Sequence, residues 1–362
     1  MTVQPDSAVL RRFPLVARPR PIAGPLVERV DNLCTLAERA AREHDRVAAS
    51  AVYNQAALLA SDCGQPELAR RWCQEHAAAY LQAVPLDARA ARCALEPLVN
   101  LARLHIRDRD GDAALHLLTG LFEAVSSRRD AVIDGQALPA SRLTRGEDDH
   151  REVRQWLWSV LVAEGVRALA GAGRWREAYA HLERHRGIGQ RMLDGRQVAV
   201  IAHVRAGDLE SARALVAGTA RGEPWEEVIT ACLAHLCDRP SRTHLDLALE
   251  GYLGLRPAQG LAVFETRLGL TLIDASTGAD QRILPQLASE VVARAVGSGD
   301  AYAAREVLLH EGLMAAVDGR RTTQLRNTAS ASGLILISLP AWLRERIDGV
   351  LDACRAAIAE AW

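Results

Sequence analysis

Apolar residues return at every third or fourth position through most of this chain, and short turns of Gly, Pro and Asp interrupt them at close intervals. That spacing lines one face of a helix, and short connections force consecutive helices to run antiparallel as neighbours. In Val30-Leu33-Leu36-Ala37-Ala40-Ala41 the apolar stripe is unbroken, while Glu28, Arg29, Glu38, Arg39 and Arg42 take the opposite face. Further helices are predicted over 47–60, 66–84, 88–107 and 113–125, joined by Asp62-Cys63-Gly64-Gln65, Pro85-Leu86-Asp87 and residues 108–111. Gly at a helix end supplies a left-handed cap, and Pro just inside the next start already has helical φ. The fold class expected is all-α, a run of antiparallel helix hairpins.

With 362 residues, a hydrophobic fraction of 49% and a charged fraction of 25%, the chain has enough apolar surface for a core and enough length for two lobes. The 44 basic residues against 45 acidic ones argue against binding along a phosphate backbone, which needs a concentrated basic surface. All the basic residues are Arg, so lysine Schiff-base and Walker-type lysine chemistry are excluded. Seven cysteines without a C-x-x-C read as reduced thiols. No apolar run approaches the length of a membrane span, Leu334 to Leu339 being the longest, and the first twenty residues carry Arg and Pro without an apolar stretch between them. A cytoplasmic protein with neither a membrane nor a nucleic-acid partner is expected. No glycine-rich nucleotide loop is present, so no cofactor is expected either.

The organisation expected is a proline- and arginine-rich arm over 1–25, an N-terminal helical lobe over 26–125, an irregular loop over 126–149, and a C-terminal helical lobe over 150–362. In the loop, Asp134-Gly135 between Ala131-Val132-Ile133 and Gln136-Ala137-Leu138 signals a tight β-hairpin. A loop of this length is either functional or a mobile connection between lobes. A second irregular zone covers 253–260 and a turn covers 274–280, with helices over 261–273, 283–296 and 301–316. Leu334-Ile335-Leu336-Ile337 reads as a short strand or a buried helix start, and 340–362 as a final helix capping the open end of the C-terminal stack.

Gly173-Arg174-Trp175-Arg176-Glu177-Ala178 and Gly207-Asp208-Leu209-Glu210-Ser211-Ala212 lie 34 residues apart, and similar turns occur at 64–69 and 299–304. Through ALAGAGRWREAYAHLERH and VAVIAHVRAGDLESARALV the chain resembles tetratricopeptide (TPR) repeats. The resemblance implies a right-handed superhelical stack of hairpins and a peptide or partner protein bound on its concave face. It also implies that asparagines on first helices bond the backbone of a bound peptide. Asn54 and Asn100 sit inside apolar helical stretches without a capping role and are the candidates for that task. The alternative for both is a satisfied hydrogen bond between helices. RVDNLCTLAERAA, LLASDCGQPELARRWC and DAVIDGQ are similar, more loosely, to helical accessory proteins of actinobacterial biosynthetic clusters.

Arg128 and Arg129, at the mouth of the irregular loop, are candidates for holding a peptide carboxylate in a bidentate fork, against a plain solvated surface. His181 and His185, four apart, share a helix face as a metal pair would, but Leu182 stands where the zincin pattern needs Glu, so no metal site is expected. Glu147-Asp148-Asp149-His150 brings carboxylates beside an imidazole, and its position before a helix also suits capping. Among the cysteines, Cys63 lies nearest a helix start and is the one to assay as a nucleophile. Trp156, Trp158 and Trp175 are expected to fill the core between repeats.

The leading functional expectation is a helical-repeat protein that binds a peptide or partner protein, as an accessory in specialised metabolism. One alternative is a peptide-modifying component such as a zinc-free lanthipeptide cyclase, for which His150, His181 and His185 would supply acid and base. Another is a sensor or regulator module.

Overall fold

The computed structural model describes residues 7–238, 242–276, 284–334, 336 and 338–359. In chain order its helices are α1 (Ser7–Leu10), α2 (Leu26–Glu43), α3 (Arg46–Asp62), α4 (Pro66–Leu81), α5 (Ala88–Arg107), α6 (Gly111–Ser127) and α7 (Glu147–Gly171). They continue with α8 (Trp175–Arg184), α9 (Asp194–Ala206), α10 (Leu209–Ala217), α11 (Pro224–Cys237), α12 (Thr243–Gly254), α13 (Ala262–Ala275) and α14 (Leu284–Ser298). The last four are α15 (Ala301–Leu308), α16 (Glu311–Met314), α17 (Gly319–Ala331) and α18 (Ala341–Ala359). Two strands, β1 (Ala131–Ile133) and β2 (Gln136–Leu138), form the sheet found among the described residues. The all-α class expected from the apolar periodicity is the class observed.

The helix ends follow from local chemistry. Asp45, Asp87, Asp110, Asp208, Asp300 and Asp318 each accept hydrogen bonds from backbone N–H groups in the first turn of the helix that follows. The four turn glycines singled out by the repeat pattern, Gly64, Gly173, Gly207 and Gly299, all have positive φ, of 71°, 73°, 80° and 64°. The alanine five residues after each one, Ala69, Ala178, Ala212 and Ala304, is fully buried. A larger side chain there would push the second helix of the turn away from its neighbours.

The chain divides into two compact units. The hairpin unit comprises 25–168 and 333–359, and its helices α2 to α6 pack in sequence order, each on the next. α18 lies against α2 and α3, burying Leu343, Ile347, Leu351, Cys354 and Ile358 at helical spacing. The final helix was expected to close the C-terminal lobe; it belongs instead to the unit built from the N-terminal helices. Its apolar stripe is completed by Leu26, Val30, Leu33 and Ala37 of α2 in a common core.

The Asp134-Gly135 hairpin forms as expected, pairing Val132 with Ala137, with φ of 49° and 81° at its two turn residues. The region is neither loose nor a link between the units. Ile133 and Leu138 are buried, the turn is held by bonds from Arg70 and Gln74 of α4 to Asp134, and Leu86 exchanges backbone bonds of 2.8 Å with Leu143 and Arg145. It is also shorter than predicted, because α6 runs to Ser127 and α7 begins at Glu147.

The arm-holding unit comprises 7–24 and 169–332. Its helices again pack mainly on their sequence neighbours, from α8 through α15. The expected arm is an ordered part of this unit over residues 7–24. α1 packs on α13, and Val9, Leu10, Phe13 and Leu15 are at most 3% exposed. The predicted helix over 301–316 is two helices, α15 and α16, divided at Leu309 and His310, and His310 caps the second through its ring. Several expectations reach residues outside the described ones: positions 1–6 of the arm, 277–280 of the predicted turn, Ile283, Ile335 and Ile337 of the apolar tail, and 360–362 of the final helix. Trp175 is buried as expected, but Trp158 is exposed and Trp156 lies half-buried with the Arg92 guanidinium over its ring.

Candidate functional site

Asn54 on α3 and Asn100 on α5 do meet. The Asn100 amide donates to Asn54 Oδ1 at 2.9 Å, and Asn100 Oδ1 accepts from Arg103 Nη1 at 2.8 Å. Arg103 continues to Glu164 on α7 through Nε at 3.0 Å and Nη2 at 2.9 Å, and Arg167 closes the row on the other oxygen of Glu164 at 2.8 Å. Glu164 is 5% exposed, so its charge is matched by two guanidinium groups where water does not reach it freely. The inter-helix hydrogen bond foreseen as the alternative for the asparagines is therefore present. It uses part of the polar capacity that a bound peptide would need.

Arg128 and Arg129 do not form a carboxylate fork. The backbone of Arg128 is the left-handed cap of α6, with φ of 53°, and the N–H of Arg129 returns to Ala124 O at 3.0 Å. The Arg128 side chain is spent on Glu147 at 2.7 Å, which holds the Glu147 carboxyl below its usual range. Of the next carboxylates, Asp148 pairs with Arg151, while Asp149 accepts from the N–H of Ala88 at 2.9 Å. Asp149 thus helps cap α5 rather than its own helix. His150 is half-buried, and burial followed by the nearby Arg128 lowers its pKa, which favours the neutral ring.

His181 and His185 lie together as their spacing requires, with ring centroids 4.7 Å apart. Burial and then Arg184 lower the pKa of His185. They belong to the arm-holding unit and His150 to the hairpin unit. Among the described residues no group of three or more His, Cys, Asp or Glu side chains is placed to hold a metal ion. Cys63 is fully buried, and that burial, with Asp62 beside it, pushes its thiol up to about 11, the opposite of what a nucleophile needs.

The arrangement that sequence reasoning missed is the seat of the N-terminal arm. From Leu15 to Pro25 the chain has no regular secondary structure, and Pro19, Pro21 and Pro25 remove three donors from it. Groups of the helical unit bond several of the main-chain groups that are left. Gln197 on α9 is fully buried; its Oε1 accepts from the N–H of Leu15 at 2.7 Å and its Nε2 donates to the carbonyl of the same residue at 2.6 Å. A third bond from Gln197 Nε2 to Met192 O at 2.9 Å fixes the amide's orientation. Arg267 on α13 donates to Arg12 O at 3.0 Å, and the N–H of Arg20 donates to Gly260 O at 3.1 Å. At the start of α15, Asp300 accepts from the N–H of Ala23 at 3.2 Å and the N–H of Ala301 donates to Ala23 O at 3.0 Å.

Gly260 is needed there. Its φ is +79°, and a Cβ on it would stand 3.0 Å from Arg20 O. Side chains of the arm add charge and shape: Arg12 bonds Asp274, Arg18 bonds Asp194 at 2.7 Å, and the Arg20 guanidinium lies 4.3 Å from the centre of the Tyr302 ring. Asp274 also accepts from His310 Nε2 at 3.0 Å, since the other ring nitrogen takes the N–H of Leu313 and leaves the proton on Nε2. Burial would raise the Asp274 carboxyl, but the bonds from His310 and Arg12 outweigh it and hold the group below its usual range.

The sequence carries a signal of this seat in the apolar run Val198-Ala199-Val200-Ile201 beside Gln197. Seven consecutive residues of α9, Gly195 to Ile201, are buried. They include Arg196 and Gln197, so this part of the helix is covered on every side and has no solvent face for its polar groups. No protein-family model, curated protein or solved structure matches this chain.

Proposed function

We propose that this chain is a non-catalytic helical protein that binds a peptide segment of a partner, and that the arm-holding unit is where it does so. One observation carries the reading: the buried Gln197 of α9, Arg267 of α13, the Gly260 carbonyl and the start of α15 bond the main chain of a non-helical segment at Arg12, Leu15, Arg20 and Ala23. Bonds to main-chain groups recognise any peptide of suitable conformation, and each adds about 0.5–1.5 kcal/mol net. Selectivity then comes from the side chains between them, here a buried cation at Arg12 and apolar groups at Phe13 and Leu15. Cys63 contributes nothing to this reading, since its thiol is fully buried and burial pushes it up to about 11, away from the thiolate that nucleophilic catalysis requires.

The test is to pan a random peptide display library on the full-length protein carrying Arg12→Ala and Phe13→Ala, which loosens the arm and leaves the helical side intact. The expected result is a set of enriched peptides that lose binding when Gln197→Ala is added and leave the protein with unchanged mass. Failure to enrich any peptide refutes the proposal, and a changed peptide mass would make the protein an enzyme.

A further inference from the structure

We infer that the N-terminal arm is an exchangeable, self-occluding occupant of this groove, and that the groove's ligand in trans is a peptide repeating the arm's own pattern: a guanidinium, an aromatic ring beside it, and an aliphatic side chain two residues further on. The inference rests on the peptide-binding reading above and adds the ligand class and the regulation.

The pattern is read from the seat. Arg12 is buried to 4% exposure and faces the Asp274 carboxylate, which His310 holds in place from the other side. A neutral residue at that position would leave Asp274 without a cationic partner. Phe13 and Leu15, at 3% and 2% exposure, flank Pro14, and Gln197 fixes the backbone at Leu15, which sets the register of all four residues. The groups that receive the arm are preorganised, because Gln197 is oriented by Met192 O and His310 by the N–H of Leu313.

Exchange is favoured by an imperfection in the same place. Glu306 stands 3.9 Å from Arg12 Nε and 3.8 Å from Arg267 Nε, too far to hydrogen-bond either, and both of these buried nitrogens lack a hydrogen-bond partner among the described residues. The arm therefore occupies the groove with two donors unsatisfied. A separate peptide that gives Arg267 Nε an acceptor, or whose own guanidinium settles closer to Glu306, competes on better terms. The arm's advantage is its covalent tether, which keeps its effective concentration high, of millimolar order for a short flexible link.

The experiment uses full-length wild type, the Arg12→Ala and Phe13→Ala double variant, and a fluorescein-labelled synthetic peptide of residues 7–25 as probe, read by anisotropy. Loosening the arm is expected to tighten probe binding at least about tenfold over wild type, by removing a tethered competitor. Adding Gln197→Ala should abolish the gain, and a scrambled peptide should not bind.

Amide hydrogen exchange on wild type supplies a measurement that does not depend on the variant's folding. Saturating unlabelled peptide should speed exchange at the chain's own Leu15, Arg20 and Ala23 N–H groups. Equal probe affinity in both proteins, or arm amides that stay protected at saturation, overturns the inference. So does a dimer appearing in sedimentation on loosening the arm, since the occupant would then be the arm of a second copy. Library peptides that bind both forms equally while the arm stays protected would sink the inference and leave the peptide-binding reading standing. A library without binders would sink that reading itself.

Discussion

The two units spend the polar side chains on their helices differently. In the hairpin unit, Asn54, Asn100, Arg103, Glu164 and Arg167 bond one another, side chain to side chain, across α3, α5 and α7. In the arm-holding unit, Gln197, Arg267 and Asp300 bond the main chain of a segment more than 170 residues away in sequence. A side-chain network fixes how helices pack and closes on itself. Side chains aimed at a main chain specify a conformation in whatever chain occupies the place, and that is a recognition device. On this ground the groove, not the asparagine row, is the better candidate for binding.

The comparison breaks most readily at Asp274. Changing it to Asn keeps an acceptor for His310 but leaves the buried Arg12 guanidinium, among the described residues, with only Glu306, at 3.9 Å, as a counter-charge. A loss of about 3 kcal/mol is expected in urea unfolding at pH 7, the lower end for uncovering a buried charge. The sign of its pH dependence follows from the pKa. The carboxyl is held lower in the folded protein than the ordinary value of about 3.9. Ionised Asp274 therefore stabilises the fold above that value, and the contribution disappears as the pH falls through it toward the lower folded pKa. The urea midpoints of wild type and variant should converge below about pH 4. A gap that stays constant from pH 7 to 3 would mean that charge is not what holds Arg12.

Gln197→Ala comes next. It strands the N–H and carbonyl of Leu15, a residue 2% exposed, and costs about 2–3 kcal/mol for two buried unsatisfied groups. Amide exchange at Leu15 should quicken while exchange in α2 to α5 stays slow. Equal acceleration in both units would show that the arm is part of one global fold rather than a separable occupant. Gly260→Ala should cost about 1–2 kcal/mol, from the strain of a side chain at positive φ and the close approach of Arg20 O. The damage should appear as faster exchange at Arg20 alone.

What could be read in the sequence was what local spacing records. The helices, the four positive-φ glycines with their buried alanines, and the Asp134-Gly135 hairpin all depend on residues within a few positions of one another. α17 escaped because Leu325 and Ala329 are the residues it buries, too few to show a period, and its start is set by the Asp318 cap. The pairings of Arg12 with Asp274, Leu15 with Gln197, and α18 with α2 span most of the chain and leave no periodic trace. Asn54 and Asn100 show a related limit. Asparagine inside an apolar helix marks a buried polar contact but does not say whether the partner is another side chain or a foreign backbone. Gln197 carried the same mark, next to Val198-Ala199-Val200-Ile201.

The smallest effect expected is also the sharpest test of the contrast. Asn100→Ala removes the bond to Asn54 and the one from Arg103, but both asparagines are half-buried and water can replace what is lost. Arg103 keeps Glu164 through two nitrogens, so the charge pair on the buried carboxylate survives. Stability should fall by about 1 kcal/mol or less, as for hydrogen bonds whose partners remain solvated. Affinity for the residue 7–25 peptide in the arm-loosened background should not change. If instead that affinity drops about tenfold, equivalent to about 1.4 kcal/mol, while unfolding is unaffected, the asparagine row touches the ligand. The self-satisfied network of the hairpin unit would then be the resting state of a second binding face, and the distinction between the two units would be one of occupancy rather than of chemistry.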